Sequence, residues 1–167
     1  MTQVDTIFEL FSTAIAAERA AMNFYKGLAR SFSHVPQVSL FWEDIMRDEA
    51  FHIQELMDIR NALPDEQLFE PADHALVSKA KNELKRFAEK FDLTAVVTLE
   101  DAYEIAYELE YSEVNMVFRA MVSKFVSSED RSKFVLSQVR DHVSRLEDFS
   151  KSIVNPENRR DILARHH

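Results

Sequence analysis

The chain has no cysteine, one glycine, four prolines and one tryptophan in 167 residues. Without thiols there is no disulfide framework, zinc ribbon, thiolate nucleophile, iron–sulfur cluster or rubredoxin-type iron centre, so any metal must be held by oxygen and nitrogen. An all-β sandwich or barrel needs a turn signal every ~8–12 residues. One glycine and four prolines cannot supply them, and the chain reads as mostly helix. Positive charge is also scarce: 20 Lys and Arg face 29 Asp and Glu, for a formal charge of −9. A surface of that sign repels phosphate backbones, which excludes nucleic acid as a partner. No run approaches the ~18–20 consecutive apolar residues that span a bilayer, and Met1 to Leu10 lacks the basic and apolar regions of a secretory signal. The expectation is a cytoplasmic protein without membrane contact.

What is present suits a globular core. Apolar residues make up 46% and charged residues 29% of the chain, and the mean hydropathy is −0.27. The length fits a single domain, 1–167. Helical spacing runs from about Val4 to Arg30, with Phe11, Ile15, Met22 and Tyr25 on one side. After Ser31, Ser33, His34 and Pro36, a second run from about Gln37 to Asn61 carries Trp42, Ile45, Met46, Ile53 and Leu56. Residues Ala62 to Pro71 form a long connection, and Asp73 caps a shorter helix reaching about Phe91. Thr98, followed by Glu100 and Asp101, starts a third long helix to about Phe125. A fourth begins near Ser128, carries Phe134, Val135, Val139, Val143, Leu146 and Phe149, and stops at Asn155 and Pro156. The predicted architecture is all-α: a four-helix bundle over about residues 4–154, built of two antiparallel hairpins joined by a crossover with a short helix, and a peripheral tail at 155–167.

Acidic residues stand where this bundle needs a core. Glu18 has Phe11, Ala14, Ile15, Ala21, Met22 and Tyr25 at helical spacing. Glu49 and His52, three apart, share the apolar stripe of the second helix. Glu110 lies among Tyr103, Ala106, Tyr107, Val114 and Val117, with Glu113 one turn on. His142 interrupts the seam of Val135, Val139 and Leu146. Both hairpins therefore carry acid first and histidine second, 34 residues apart from Glu18 to His52 and 32 from Glu110 to His142. The pattern reads as an internal duplication, in which only the glutamate and Asn23 or Asn115 agree locally.

An unpaired ionised carboxylate inside a bundle costs several kcal/mol, and four would cancel a typical domain stability of about 5–15 kcal/mol. Protons, buried Lys or Arg, or divalent cations must offset them. The near faces offer no Lys or Arg, and two divalent ions would neutralise four carboxylates. A nitrogen and oxygen donor set suits iron or manganese at least as well as zinc. The charged clusters Glu43, Asp44 and Asp48, and Lys79, Lys81, Lys85 and Arg86, read as solvated helix faces. His34, His74, His166 and His167 read as solvated as well.

Glu18, the Glu49-Ala50-Phe51-His52 motif, Glu110, Glu113 and His142 resemble the ligand set of the ferritin-like di-iron carboxylate bundles, and most closely the rubrerythrin family. The resemblance implies two iron ions, with manganese or zinc as substitutes, and an oxidoreductase that reduces peroxide or oxygen while ferrous iron is oxidised. It implies that Glu18, Glu49 and His52 hold one ion and Glu110, Glu113 and His142 the other, with Glu49 and Glu110 as bridges. The helix-four glutamate of the family is Val139 here, with Asp141 as a neighbour in sequence only. No cysteine-ligated rubredoxin module accompanies the bundle, so electrons must come from an external donor. Two alternatives stand beside this: a non-catalytic metal-binding or iron-handling protein with an incomplete site, and a metal-free helical interaction module. Tyr25, Tyr103 and Tyr107 share the ligand faces. Phe8, Phe32, Phe41, Phe69, Phe87 and Phe91 exceed the needs of one small bundle, which suggests a homodimer.

Overall fold

A computed structural model describes residues 3–89, 93–111 and 113–154; the side chains of residues 113, 114, 153 and 154 fall outside that description. Helix α1 (Ile7–Ser31) starts at a capping box, in which the Thr6 hydroxyl accepts from the Glu9 amide and the Glu9 carboxylate accepts from the Thr6 amide. Two orphan amides of the first turn are thereby satisfied. Helix α2 (Pro36–Ala62) places proline in its first turn, where the missing N–H costs nothing. The two pack as the first hairpin. Within the predicted connection lies a single helical turn, α3 (Asp65–Leu68), that sequence periodicity is too short to reveal. Here Thr6 and Pro71 form an antiparallel bridge, tying the start of the chain to the crossover.

The crossover helix α4 (His74–Glu89) begins where the Asp73 carboxylate accepts from the Leu76 amide. It lies against α1 and, across the bundle, against α6 (Glu113–Phe125). Before α6 comes α5 (Leu99–Glu110), opened by a second capping box between Thr98 and Asp101. Helix α7 (Glu129–Val154) completes the second hairpin. No helix among the described residues is long and apolar enough to cross a membrane.

The third long helix predicted over 98–125 is divided in two. Tyr111 caps α5, donating its amide to the Leu109 and Tyr107 carbonyls. The Asn115 side chain donates to the Glu110 carbonyl at 2.8 Å. An amide side chain inserted into the backbone ladder is a recognised cause of helix interruption. The tail at 155–167 and Phe91 lie outside the described residues.

Buried apolar side chains form two clusters. One contains Ile15, Ile53, Leu56, Phe118, Met121 and Val139. The other contains Tyr25, Leu28, Trp42, Ile45, Leu109 and Leu146. Along each helix the change from one cluster to the other falls at the acids and histidines: between Ile15 and Ala21 on α1, Ile45 and Ile53 on α2, Leu109 and Val117 across α5 and α6, and Val139 and Leu146 on α7. A polar layer therefore crosses the middle of the bundle. The architecture is the ferritin-like one expected, with Phe134 as an exception at 59% exposed rather than in the seam.

Candidate metal centre

Glu18, Glu49, His52, Glu110 and His142 are each at most 3% exposed. Their helices bring them together because each occupies a core position of its stripe. Two groups result, Glu18 with Glu49 and His52, and Glu49 with Glu110 and His142; within each group one donor atom per residue lies within 4.8 Å of the others. Glu49 belongs to both groups, whereas Glu110 belongs to the second. His52 Nδ1 lies 3.5 Å from both Glu18 Oε2 and Glu49 Oε2. His142 Nε2 lies 2.8 Å from Glu110 Oε2 and 3.1 Å from Glu49 Oε1. Despite these distances, both oxygens of Glu18 and Glu49, both ring nitrogens of His52 and Nε2 of His142 lack hydrogen-bond partners. Buried polar atoms are normally satisfied. Glu110 is the exception, its oxygens accepting from Tyr25 and Asn115; the remaining donors converge without directional hydrogen bonds, and a cation with mixed oxygen and nitrogen preference satisfies that chemistry.

No Lys or Arg is buried among the described residues. The electrostatics of the site therefore rest on protons. Burial drives the Glu18 carboxyl well above its ordinary range, and the charge of Glu49 pushes in the same direction. Burial also opposes ionisation of Glu49, but the neighbouring His142 and His52 outweigh it and hold this carboxyl well below its usual value. Desolvation works against a charged His52; Glu18 and Glu49 overcome it and raise the imidazole to about 10. His142 is raised well above its ordinary value for the same reason, with burial opposed by Glu110, Asp48 and Glu49. Protons on nitrogen and on Glu18 thus occupy the role that cations would take.

The groups around the set are arranged to orient it. Nδ1 of His142 donates to Asp48 Oδ2 at 2.9 Å, which leaves Nε2 directed at Glu49 and Glu110. Arg145 in turn pairs with Asp48. A carboxylate behind a histidine fixes its tautomer and raises its basicity toward a metal. The Tyr25 hydroxyl donates to Glu110 Oε1, and Asn115 Nδ2 donates to Glu110 Oε2 at 2.9 Å. The His52 ring stacks on Phe118 with centroids 4.4 Å apart.

Several sequence expectations need correction here. Asp48 is turned toward His142 rather than being only a solvated face. Of the three tyrosines placed on ligand faces, Tyr25 reaches the site, whereas Tyr107 is 43% exposed. Asn115 is buried and engaged with Glu110, whereas Asn23 is exposed, so that part of the apparent repeat carries no common role. Asp141 is exposed and is absent from both groups. The Glu113 side chain lies outside the described residues. His34 and His74 are exposed, as expected, and His166 and His167 are outside the described residues.

A family model described as Rubrerythrin matches residues 9–150. No curated protein and no solved structure matches the chain.

Proposed function

Because the chain belongs to the rubrerythrin family of ferritin-like di-iron carboxylate proteins, we propose that its polar layer holds two iron ions and works as an oxidoreductase. Peroxide or oxygen is the oxidant, and electrons come from an external donor. The observation that supports this is the convergence of buried donor atoms into two groups that share Glu49, with Glu18, Glu49, His52 and Nε2 of His142 lacking hydrogen-bond partners. Glu18, Glu49 and His52 hold one ion; Glu49, Glu110 and His142 hold the other, with Glu113 as the remaining carboxylate. When bound, a pair of irons supplies two one-electron changes to a small oxidant.

The chain's own residues do the rest. The apolar clusters above and below the layer exclude water, which strengthens every charge interaction within it. Asp48 holds the proton on Nδ1 of His142 and so keeps Nε2 available. Tyr25 carries a hydroxyl proton at the edge of the site, where burial and then Glu110 hold its pKa well above 10.0. That phenol therefore remains neutral and serves as a hydrogen-bond donor to Glu110. In this reading the protein acts in the cytoplasm as a homodimer; Phe69 and Val97, 72% and 82% exposed, are available for a subunit contact.

Val139 favours a second reading. It is fully buried in the apolar cluster beside the layer, where the family resemblance places a glutamate. With that carboxylate absent, the protein binds or handles iron without useful turnover. Anaerobic titration with ferrous iron, followed by peroxide, separates the readings. About two equivalents bound and then oxidised on adding peroxide support the oxidoreductase, on the donor count of a di-metal site. Binding without oxidation supports iron handling. An absence of binding leaves a metal-free interaction module.

A further inference from the structure

Tyr103, Tyr107 and Tyr111 recur every four residues and follow one side of α5. Their rings meet in series, with centroids 5.9 Å apart between Tyr103 and Tyr107 and 4.3 Å apart between Tyr107 and Tyr111. The stripe leads out of the core. Tyr103 is partly buried against the apolar cluster around Tyr25 and Trp42, whereas Tyr107 and Tyr111 are 43% and 50% exposed. The Tyr111 hydroxyl donates to Glu147 of α7, which holds the last ring in place.

Carboxylates border the stripe. Glu100, Glu104 and Glu108 each precede one of the tyrosines by three residues, the spacing that sets side chains next to one another on a helix. Glu104 and Glu108 are exposed, and Glu147 closes the side toward α7. Helix α5 has no Lys or Arg of its own. Arg86 reaches across from α4 to within 2.9 Å of Glu108, but it is also held by the buried Glu83 at 3.0 Å. The face is therefore aromatic along its centre and negative at its rim. Tyrosine is enriched at protein interfaces, whose rims are polar, and the face of a ring attracts the same ammonium or guanidinium that a neighbouring carboxylate attracts.

We infer that the tyrosine face of α5 is a docking surface for a partner protein that presents arginine or lysine side chains. Charge decides the class of occupant. The bordering acids repel nucleic acid and anionic membrane surfaces. A second copy of the chain offers no matching face on its basic helix α4, where Lys81 pairs with Asp5, Lys85 with Glu89 and Arg86 with Glu83 and Glu108. Rings already stacked on one another, one of them tied through its hydroxyl, have little freedom left to lose on binding. The inference is independent of the metal reading of the polar layer.

The test uses the isotopically labelled full chain, with hexa-arginine peptide as the probe. Amide resonances should shift along α5 around Tyr107 and on α7 around Glu147. Tyr107→Leu keeps the net charge and an apolar side chain but removes the ring, and should weaken binding about two- to fivefold, the effect of one exposed cation–π contact. Tyr107→Trp should bind at least as tightly as the parent. Glu104→Gln should weaken binding, whereas Glu66→Gln, at an exposed acid of α3, should not. Losses that follow net charge alone, equal in the two glutamine variants and absent in Tyr107→Leu, would overturn the proposal, as would shifts centred elsewhere on the surface. Sedimentation of the chain without peptide is the remaining check: self-association abolished by Tyr107→Leu would assign the face to a second copy and overturn the basic partner.

Discussion

Asp48 immediately precedes Glu49, so its side chain is rotated about 100° from the core stripe of α2. That rotation directs it across the gap to α7, where it accepts from His142. Removing such a carboxylate typically lowers metal affinity about 10- to 100-fold. Asp48→Asn should therefore weaken cobalt binding within that range, read by competition with a chelator, and an affinity within twofold of the parent would show that Asp48 does not orient His142. Protons give a second prediction. The donor nitrogens must be neutral to bind metal, yet His52 is raised to about 10 and His142 is also raised, while Glu18 is raised toward its neutral form. Metal binding at pH 7 should release protons, and affinity should rise with pH. Calorimetry in buffers of different ionisation enthalpy measures the release directly. The same shift affects stability without metal. His52 has a folded value above its ordinary 6.5, so its contribution is complete below that value and is lost as pH rises toward about 10. Chemical denaturation of the metal-free chain across pH 6 to 10 should show this decline, and bound metal should abolish it. At this scale the core acids and histidines were legible because each breaks an apolar stripe. Asp48 and Asn115 were not, since each owes its role to a partner on another element.

Helix starts were legible from capping residues, as Asp73 and Thr98 illustrate, whereas the first helix was read from about Val4 and begins after its cap at Thr6. The interruption between α5 and α6 was not legible, because no proline or glycine marks it. It arises where a side chain from the following turn takes a backbone carbonyl, an interaction with no local composition signal. The break falls at Glu110, so the acid of the second half leaves the end of one helix while Asn115, on the next, supports both its carbonyl and its carboxylate. The corresponding acid of the first half, Glu18, sits mid-helix in α1. The two halves of the layer are thus built differently, and α7 adds to the difference. Val139→Glu tests what its apolar residue costs the site. A new buried carboxylate beside the layer should destabilise the metal-free protein by about 3–5 kcal/mol in denaturant unfolding, the usual penalty for an uncompensated buried charge. It should also tighten the weaker of two cobalt sites. A variant that loses stability without any gain in binding would mean that the side chain at 139 does not face the metals.

The whole bundle joins two apolar clusters across a layer of buried acids and histidines in which no Lys or Arg is buried among the described residues. A ligand that binds only the folded chain at 100 times its dissociation constant adds about 2.7 kcal/mol. For a protein of this size that corresponds to about 5–10 °C in melting temperature per site. Cobalt or ferrous iron should raise the transition by at least that much, and a chelator should reverse it; an unchanged transition at saturating metal would argue against binding to the folded state. The overall arrangement was readable because four long amphipathic runs and one crossover leave few ways to bury their faces. The buried acid of the crossover was hidden, because Glu83 stands among Lys79, Lys81, Lys85 and Arg86 and reads with them as part of a solvated face. The division of the core has one more consequence. With no continuous oil through the middle, damage on one side has little means of reaching the other. Paired truncations such as Leu28→Ala and Leu56→Ala should have additive costs. Native-state hydrogen exchange should then find each end of the bundle loosening on its own schedule, as two drops divided by a thin charged wafer.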